Sequence, residues 1–284
     1  MAGDTRIEWC DDSLNFQSGC SEARRPDGSM DPACVHCYAR LMSARLEAMG
    51  QALYTGAAVR SPSGGARWTG ALRWDRDLVW RRIEGMRAGK VTFLGSMTDL
   101  WHEDADPDMW EALAESVHDR ERSRLILEQE PPRGMVTLTK RADRLLLFQR
   151  RHFPEGLPVW WWPGVTVSDQ IGADLRLPSL LDLHAHGPKV VSYEPAMGPV
   201  DWRPWIKGLG WLICGGESGT KARPSHPDWF RAARDAAVEN CVAFHFKQWG
   251  EWAPADDAAE TMVREGKKAA GRVLDGFAWD EVPA

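Results

Sequence analysis

From about residue 90 onward the chain repeats one pattern. A short run of β-branched or aromatic residues is followed by a longer segment of helical character. The runs are VTFLGS (Val91–Ser96), GMVTLTK (Gly134–Lys140), VWWWPGVTVS (Val159–Ser168), KVVSYEP (Lys189–Pro195), WLICGGES (Trp211–Ser218) and VAFHFKQWG (Val242–Gly250). Several are continuously apolar rather than alternating, which is the pattern of strands buried on both faces of a parallel sheet. One more strand is expected near Ser13–Gln17. Helix starts are marked between the runs. DPDMWEALAESVHD offers Asp106 as N-cap with Pro107 in the first turn, and HPDWFRAARDAAVEN repeats the arrangement at Pro227. The Gly-, Ser- and Pro-rich stretch Tyr54–Trp74 predicts a long irregular connection. Repeated β–α units in one chain of this length favour an α/β fold with a parallel barrel, complete or partial.

In such a barrel, function gathers at the C-terminal ends of the strands, and the polar residues fall there. Ser96, Met97 and Asp99 follow the first run. Thr139, Lys140 and Arg141 end the second, and Thr166, Ser168 and Asp169 the third. Glu194 ends the fourth, Gly215, Gly216, Glu217 and Ser218 the fifth, and Lys247 and Gln248 the sixth. Six successive strand ends of this kind read as a ring around one pocket. Lys247 and Glu194 are the candidate catalytic groups within it.

Composition narrows the setting. With 284 residues, 43% of them apolar, the chain can build a sizeable core. It contains no apolar run of membrane-spanning length, so no membrane partner is expected. The opening MAGDTRIEWCDD has no secretory apolar segment, so the expected compartment is the cytoplasm, where structural disulfides do not persist. The net charge of −6 argues against a general nucleic-acid coat protein. The charge is uneven, however. Ser21–Lys90 holds 12 Arg/Lys against 7 Asp/Glu, and Glu251–Ala284 holds 4 against 8. The basic third suits a phosphate-bearing partner or a solvated surface. The 16 tryptophans suit a core, or a pocket that stacks flat rings.

The sharpest chemical signal is C-x13-C-x2-C, formed by Cys20, Cys34 and Cys37. One reading is structural zinc, with His36 inside CVHC as fourth ligand. His36 is tethered so tightly between Cys34 and Cys37 that convergence of all donors on one ion is strained. The other reading is a 4Fe–4S cluster with three cysteine ligands and one open iron position. Cys10, Cys214 and Cys241 lie outside the motif, and Cys214 and Cys241 fall in strand-like runs as expected core residues.

The chain also resembles a known family. IEWCDDSLNFQSGC, CVHCYA, WTGALRW, FLGSMTDLWHED, VTLTKRADRL, PGVTVSDQ, VSYEPAMGPVD, WLICGGESGTKARP and FHFKQWGEW occur in order from Ile7 to Trp252. Together they are similar to the phage Gp37/Gp68 family (DUF5131), a three-cysteine family grouped with the radical S-adenosylmethionine (SAM) barrels. LTKR also resembles the strand end of the spore photoproduct lyase branch. The resemblance implies a partial (β/α)6-type TIM barrel over residues 1–252, with an insertion at about 50–75 and an acidic extension at 253–284. It implies a 4Fe–4S cluster on Cys20, Cys34 and Cys37 that cleaves SAM reductively to a 5′-deoxyadenosyl radical. The first gap of 13 residues departs from the usual three.

By the same resemblance, Tyr38 packs near the adenine of SAM. Ser96, the Met97 backbone and Asp99 receive its ammonium, Lys140 or Arg141 its carboxylate, and Ser168 its ribose. Gly215, Gly216 and Glu217 approach the adenine or the substrate, or simply form a tight turn. The implied substrate is a nucleic-acid base, for example a hypermodified thymine in phage DNA, flipped or single-stranded. A small molecule or a peptide is the alternative. The implied partners are SAM, DNA or a modified nucleotide, and a reductant protein such as flavodoxin or ferredoxin, in the host cytoplasm if phage-encoded. Two readings from other classes stand beside it. One is a zinc-binding module without catalysis. The other is a hydrolase with a divalent metal on Asp99, His102, Glu194 and Glu217.

Overall fold

A computed structural model of the chain describes residues 3–5, 7–62, 64–255 and 261–284. Part of the expected polar amino-terminal stretch (residues 1, 2 and 6) and part of the expected acidic extension (256–260) lie outside the described residues. Strands β1 (Gly3–Asp4), β2 (Asp12–Leu14) and β3 (Gln17–Ser18) lead into helices α1 (Pro32–Val35) and α2 (Tyr38–Ala48). Three short strands, β4 (Ala58–Arg60), β5 (Ala66–Trp68) and β6 (Arg73–Trp74), precede α3 (Arg76–Glu84). Alternation then sets in with β7 (Val91–Leu94), α4 (Pro107–Ile126), β8 (Gly134–Thr139), α5 (Ala142–His152) and β9 (Trp161–Thr166). It continues with α6 (Gln170–Asp182), β10 (Val190–Tyr193), β11 (Trp211–Gly215), α7 (Pro227–Glu239) and β12 (Ala243–Gln248).

Each of the six apolar runs contains a strand, and both marked helices start where the sequence places them; Cys214 is buried in β11 as expected, but Cys241 lies in the turn before β12 and is exposed rather than core. Asp106 accepts a bond from the amide of Asp108 (2.9 Å), so α4 begins on a satisfied cap with Pro107 at its first position. The His226 ring accepts from the Asp228 amide (3.2 Å) at the start of α7.

The chain divides into two compact units, each assembled from separated stretches. The first comprises Met1–Ala23, Cys37–Pro163 and Asp182–Gly187; the second comprises Arg24–His36, Gly164–Leu181 and Pro188–Ala284. In the first, β2 pairs parallel with β7 and β7 parallel with β8, and β1 runs antiparallel on β2. In the second, β9, β10, β11 and β12 pair in that order, all parallel. The chain is therefore a mixed α/β protein with seven parallel strands, β2 and β7–β12. Parallel pairing aligns the C-terminal ends of neighbouring strands, so within each unit the polar strand ends share one side.

Tryptophan serves packing: all 16 are buried or half-buried. Trp161 sits among Phe148 and Phe153, with its indole N–H donated to Thr137 Oγ1 at 3.0 Å. The free edge of β12 is covered by the chain end. The Phe246 amide donates to the Trp279 carbonyl (2.9 Å) and the Phe244 amide to Glu281 (2.8 Å), which removes an exposed strand edge. No helix among the described residues is long and apolar enough to cross a membrane.

The stretch Tyr54–Trp74 is more regular than its composition predicts. β4 and β5 form an antiparallel hairpin closed by a bond from the Ser61 amide to the Gly65 carbonyl (2.8 Å). Ala58 and Trp68 turn inward against Ala39 and Ala44 of α2, with Tyr54 and Met97, and Cys20 and Cys37 pack on the same cluster. Strands of three residues carry too few apolar positions to register as alternation, so tertiary packing decides them.

Candidate functional site

In the first unit the strand ends build one polar cluster beside Cys20. Its centre is Asp99, 6% exposed like its partner Arg141. Asp99 Oδ1 accepts from Thr139 Oγ1 (2.6 Å) and the Trp101 amide (3.2 Å). Oδ2 accepts from Arg141 Nη1 (3.0 Å) and the Lys140 amide (3.2 Å). Burial works to raise the Asp99 pKa, but the Arg141 charge, the Thr139 hydroxyl and the Lys140 amide together hold it below the usual carboxylate range. With two donors on each oxygen, an incoming ammonium would have to displace one of them.

Arg141 is equally committed. Its Nε donates to Glu103 (2.7 Å) and its Nη2 to Ser21 Oγ (3.0 Å). Ser21 Oγ also lies 2.7 Å from His102 Nε2. His102 Nδ1 accepts from the Asp104 amide (3.0 Å), so the ring proton sits on Nε2 and points at Ser21. Burial, then Arg141, lowers the His102 pKa and keeps the ring neutral. His102 is thus a donor to Ser21, which leaves it unable to act as a base toward that hydroxyl. The network clamps the residue after Cys20 onto the end of β8.

Burial pushes the Cys20 thiol up to about 12, with Asp99 and Cys37 adding to the rise and Arg141 and Lys140 opposing it. Cys20 Sγ donates to the Ser21 carbonyl at 3.2 Å. Cys37 is the N-cap residue of α2, and Tyr38 begins that helix. The Tyr38 hydroxyl donates to the Ser96 carbonyl (2.5 Å). Asn15 holds the next residues, donating to Ser96 Oγ (3.1 Å) and accepting from the Met97 amide (3.0 Å). The Ser96–Met97 turn is thereby fixed before any ligand arrives.

Gly19, directly before Cys20, has φ +90°, and a Cβ there would stand 2.1 Å from the Ala71 carbonyl oxygen. Gly19→Ala is expected to destabilise the chain by more than about 2 kcal/mol, read as a lower urea midpoint, because conformation and contact both oppose a side chain.

In the second unit Glu194 accepts both Lys247 Nζ (2.9 and 3.1 Å) and Gln248 Nε2 (3.1 Å). Glu217 accepts from the amide, Nε and Nη2 of Arg223 (2.8, 2.9 and 2.6 Å) and faces His36 Nδ1 at 3.2 Å. Burial opposes ionisation of Glu217, but Arg223 and His36 lower its pKa. A Cβ on Gly216 would stand 1.8 Å from the Trp249 carbonyl oxygen, so close backbone approach requires this glycine. Ser168 Oγ and Gln248 Oε1 are buried with no hydrogen-bond partner among the described residues.

The segment between the first two cysteines is stapled onto these strand ends. Arg25 pairs with Asp169 after β9, and the buried Asp31 pairs with the buried Arg176 of α6. Arg176 also donates to the Thr166 carbonyl (2.9 Å), and Arg223 Nη2 donates to the Pro32 carbonyl (2.8 Å). Asp31 caps α1, the short helix that carries Cys34.

The expected site residues thus fall into two groups. Cys20, Cys37, Tyr38, Ser96, Met97, Asp99, Lys140 and Arg141 belong to the first unit. Cys34, Ser168, Glu194, Gly215, Gly216, Glu217 and Lys247 belong to the second. Among the described residues no group of three or more His, Cys, Asp or Glu side chains stands in a metal-holding arrangement. The sequence reading passes over Asn15, Ser21, Asp31, Arg176 and Arg223. Of these only Asp31 leaves a local trace, as an Asp–Pro helix start before Cys34.

No curated protein and no solved structure matches the chain. A family model described as "Protein of unknown function (DUF5131)" matches residues 4–283, and the chain belongs to that family.

Proposed function

We propose that the chain is a radical SAM-type enzyme acting on a nucleic-acid base, with Cys20, Cys34 and Cys37 as ligands of a 4Fe–4S cluster. The observation that carries this reading is that Cys20 and Cys37 pack on one apolar cluster of the first unit, with Arg141 bonded to the residue after Cys20. Thiolates are the ligands such clusters take, and a thiol held protonated by burial is deprotonated on binding metal. The donor chemistry therefore fits. Ser168 Oγ and Gln248 Oε1 support it further, because buried polar atoms without partners are the kind a bound ligand satisfies. When bound, the cluster supplies one-electron chemistry to SAM.

The chain's own residues bind and orient. Asn15 and Tyr38 preset the Ser96–Met97 turn for the ammonium of SAM. Asp99 and Arg141 act through Ser21, holding the Cys20 loop rather than meeting SAM. Ser168 offers its free hydroxyl to a ribose. Glu194 and Lys247 present a carboxylate and an ammonium to the substrate. A partial (β/α)6 barrel of the radical SAM kind is the frame this reading requires. The divalent-metal hydrolase is less well supported, because Thr139, Arg141 and two backbone amides already fill the oxygens of Asp99, and Arg223 those of Glu217.

Anaerobic reconstitution tests the reading. The wild-type protein is expected to be brown, with about four irons and sulfides per chain, and to release 5′-deoxyadenosine from SAM under dithionite. DNA carrying modified bases should show a changed nucleoside mass. Cys20→Ala, Cys34→Ala and Cys37→Ala should each lose iron and SAM cleavage, whereas Cys214→Ala keeps both. A colourless protein with about one zinc, or SAM cleavage surviving in the triple cysteine variant, would sink it.

A further inference from the structure

The geometry points to a divalent transition-metal site on His184 and His186, between α6 and β10. The stretch DLHAHG places the two histidines two residues apart. Ala185 between them forms a parallel bridge with Leu157. The Leu157 amide donates to the His184 carbonyl (3.0 Å), and the His186 amide donates to the Leu157 carbonyl (3.1 Å). The backbone is therefore paired in the manner of a strand. Alternation sends the two imidazoles to one face and Ala185 to the other. The ring centroids stand 5.1 Å apart.

That separation is the one a shared ion requires. Two imidazoles at ordinary zinc–nitrogen distances and the tetrahedral angle have centroids about 5 Å apart. The tautomer of one ring is also set in advance. His186 Nε2 lies 3.0 Å from the Glu155 carbonyl oxygen, which can only accept. Nε2 therefore carries the proton, and Nδ1 keeps the lone pair. A backbone carbonyl that accepts from the far nitrogen is a usual support of a metal-ligating histidine. Gly156 leaves room for both rings. A Cβ there would stand 2.9 Å from His186 Nε2 and 3.1 Å from His184 Cδ2. Both histidines are exposed, so an ion has access to them.

The ligand class follows from the donors. Imidazole nitrogen suits Ni²⁺, Cu²⁺ and Zn²⁺, whereas Mg²⁺ and Ca²⁺ take oxygen. Asp182, the acid just before the pair, is committed to Arg150. Among the described residues no third His, Cys, Asp or Glu completes the set, so the shell is two protein ligands and solvent. Residues 155–157 lead into β9 and residues 184–186 into β10. Both stretches belong to the first unit. An ion on the pair ties these two connections together and stabilises the folded chain by mass action. Cys20, Cys34 and Cys37 take no part, so the site stands or falls independently of the radical SAM reading.

The test uses the full chain, without an affinity tag, and Ni²⁺ as probe. Calorimetric titration should show a site that His184→Ala and His186→Ala each weaken about tenfold or more, since either change leaves a single imidazole. Both variants keep all six cysteines, so thiol binding cancels in the comparison. His226→Asn should bind like wild type, because it alters another exposed histidine and asparagine can take over its cap. In nuclear magnetic resonance spectra of the eight histidine rings, substoichiometric Ni²⁺ should broaden the His184 and His186 signals first. Excess Zn²⁺ should restore them, and Mg²⁺ should not. The urea midpoint of the wild type should rise more with Ni²⁺ than that of either variant. Equal Ni²⁺ affinity in wild type and both variants overturns the site and leaves the pair as edge-to-face ring packing alone. So does broadening confined to other histidines.

Discussion

Arg141→Leu is expected to lower stability by about 3 kcal/mol, toward the lower end of the range for breaking a buried ion pair. The leucine leaves Asp99 ionised and buried, with only Thr139 Oγ1 and the Lys140 and Trp101 amides to compensate. Those remaining bonds keep the loss from the top of the range. Urea unfolding at neutral pH measures it. The pH dependence carries the diagnostic sign. In the wild type the Asp99 pKa is lowered, so its stabilisation is present above the ordinary value near 4 and is lost as pH falls through the folded value. In the variant an unpaired buried carboxylate has a raised pKa. The folded state then binds the proton more readily than the unfolded chain, and the deficit should shrink as pH falls from about 6 toward 4. Arg141→Leu combined with Asp99→Leu should recover much of the loss. A deficit that does not change with pH would contradict the assignment of Asp99 as the unpaired buried charge.

Asp31→Ala is the second large effect, and it is local. The substitution removes the cap of α1 and leaves Arg176 buried without its carboxylate partner; Asp31 is 1% exposed and Arg176 4%. A lost cap costs about 1 kcal/mol, and an orphaned buried charge about 3 to 5. Arg25–Asp169 and Arg223–Pro32 remain, so the expected result is release of residues 24–36 rather than global unfolding. Limited proteolysis should cut there first. Cys34, now buried, should react with a thiol reagent at least about tenfold faster, since its protection is a local opening equilibrium. Arg176→Leu should give the same signature. Unchanged Cys34 reactivity in both variants would show that the staple does not hold the cysteine.

The parallel strands were legible because burial on both faces writes itself into consecutive residues, as in Val190–Tyr193 and Trp211–Gly215. Asp106–Pro107 and His226–Pro227 showed helix starts because capping is a nearest-neighbour effect. The hairpin at Ala58–Trp68 was illegible, since its strands are short and their inward residues count only once α2 supplies a surface. The same distinction runs through the site. The sequence showed that Ser96, Asp99, Arg141, Glu194 and Glu217 stand at strand ends. It did not show that the oxygens of Asp99 and Glu217 are already filled by donors, Arg141 and Arg223 among them.

By itself, then, the sequence determined the β–α alternation, the three-cysteine motif, the polar strand ends and the family, because each rests on local spacing or on ordered motifs. Only the tertiary structure decided which partners each charge takes. Arg141 lies 42 residues from Asp99 and Arg176 lies 145 from Asp31. Pairing across such distances follows from how strands and helices bring their ends together, and no local pattern encodes it. That is why the sequence shows only the length of the gap between Cys20 and Cys34, whereas in the structure the segment is held through Arg25–Asp169, Asp31–Arg176 and Arg223–Pro32.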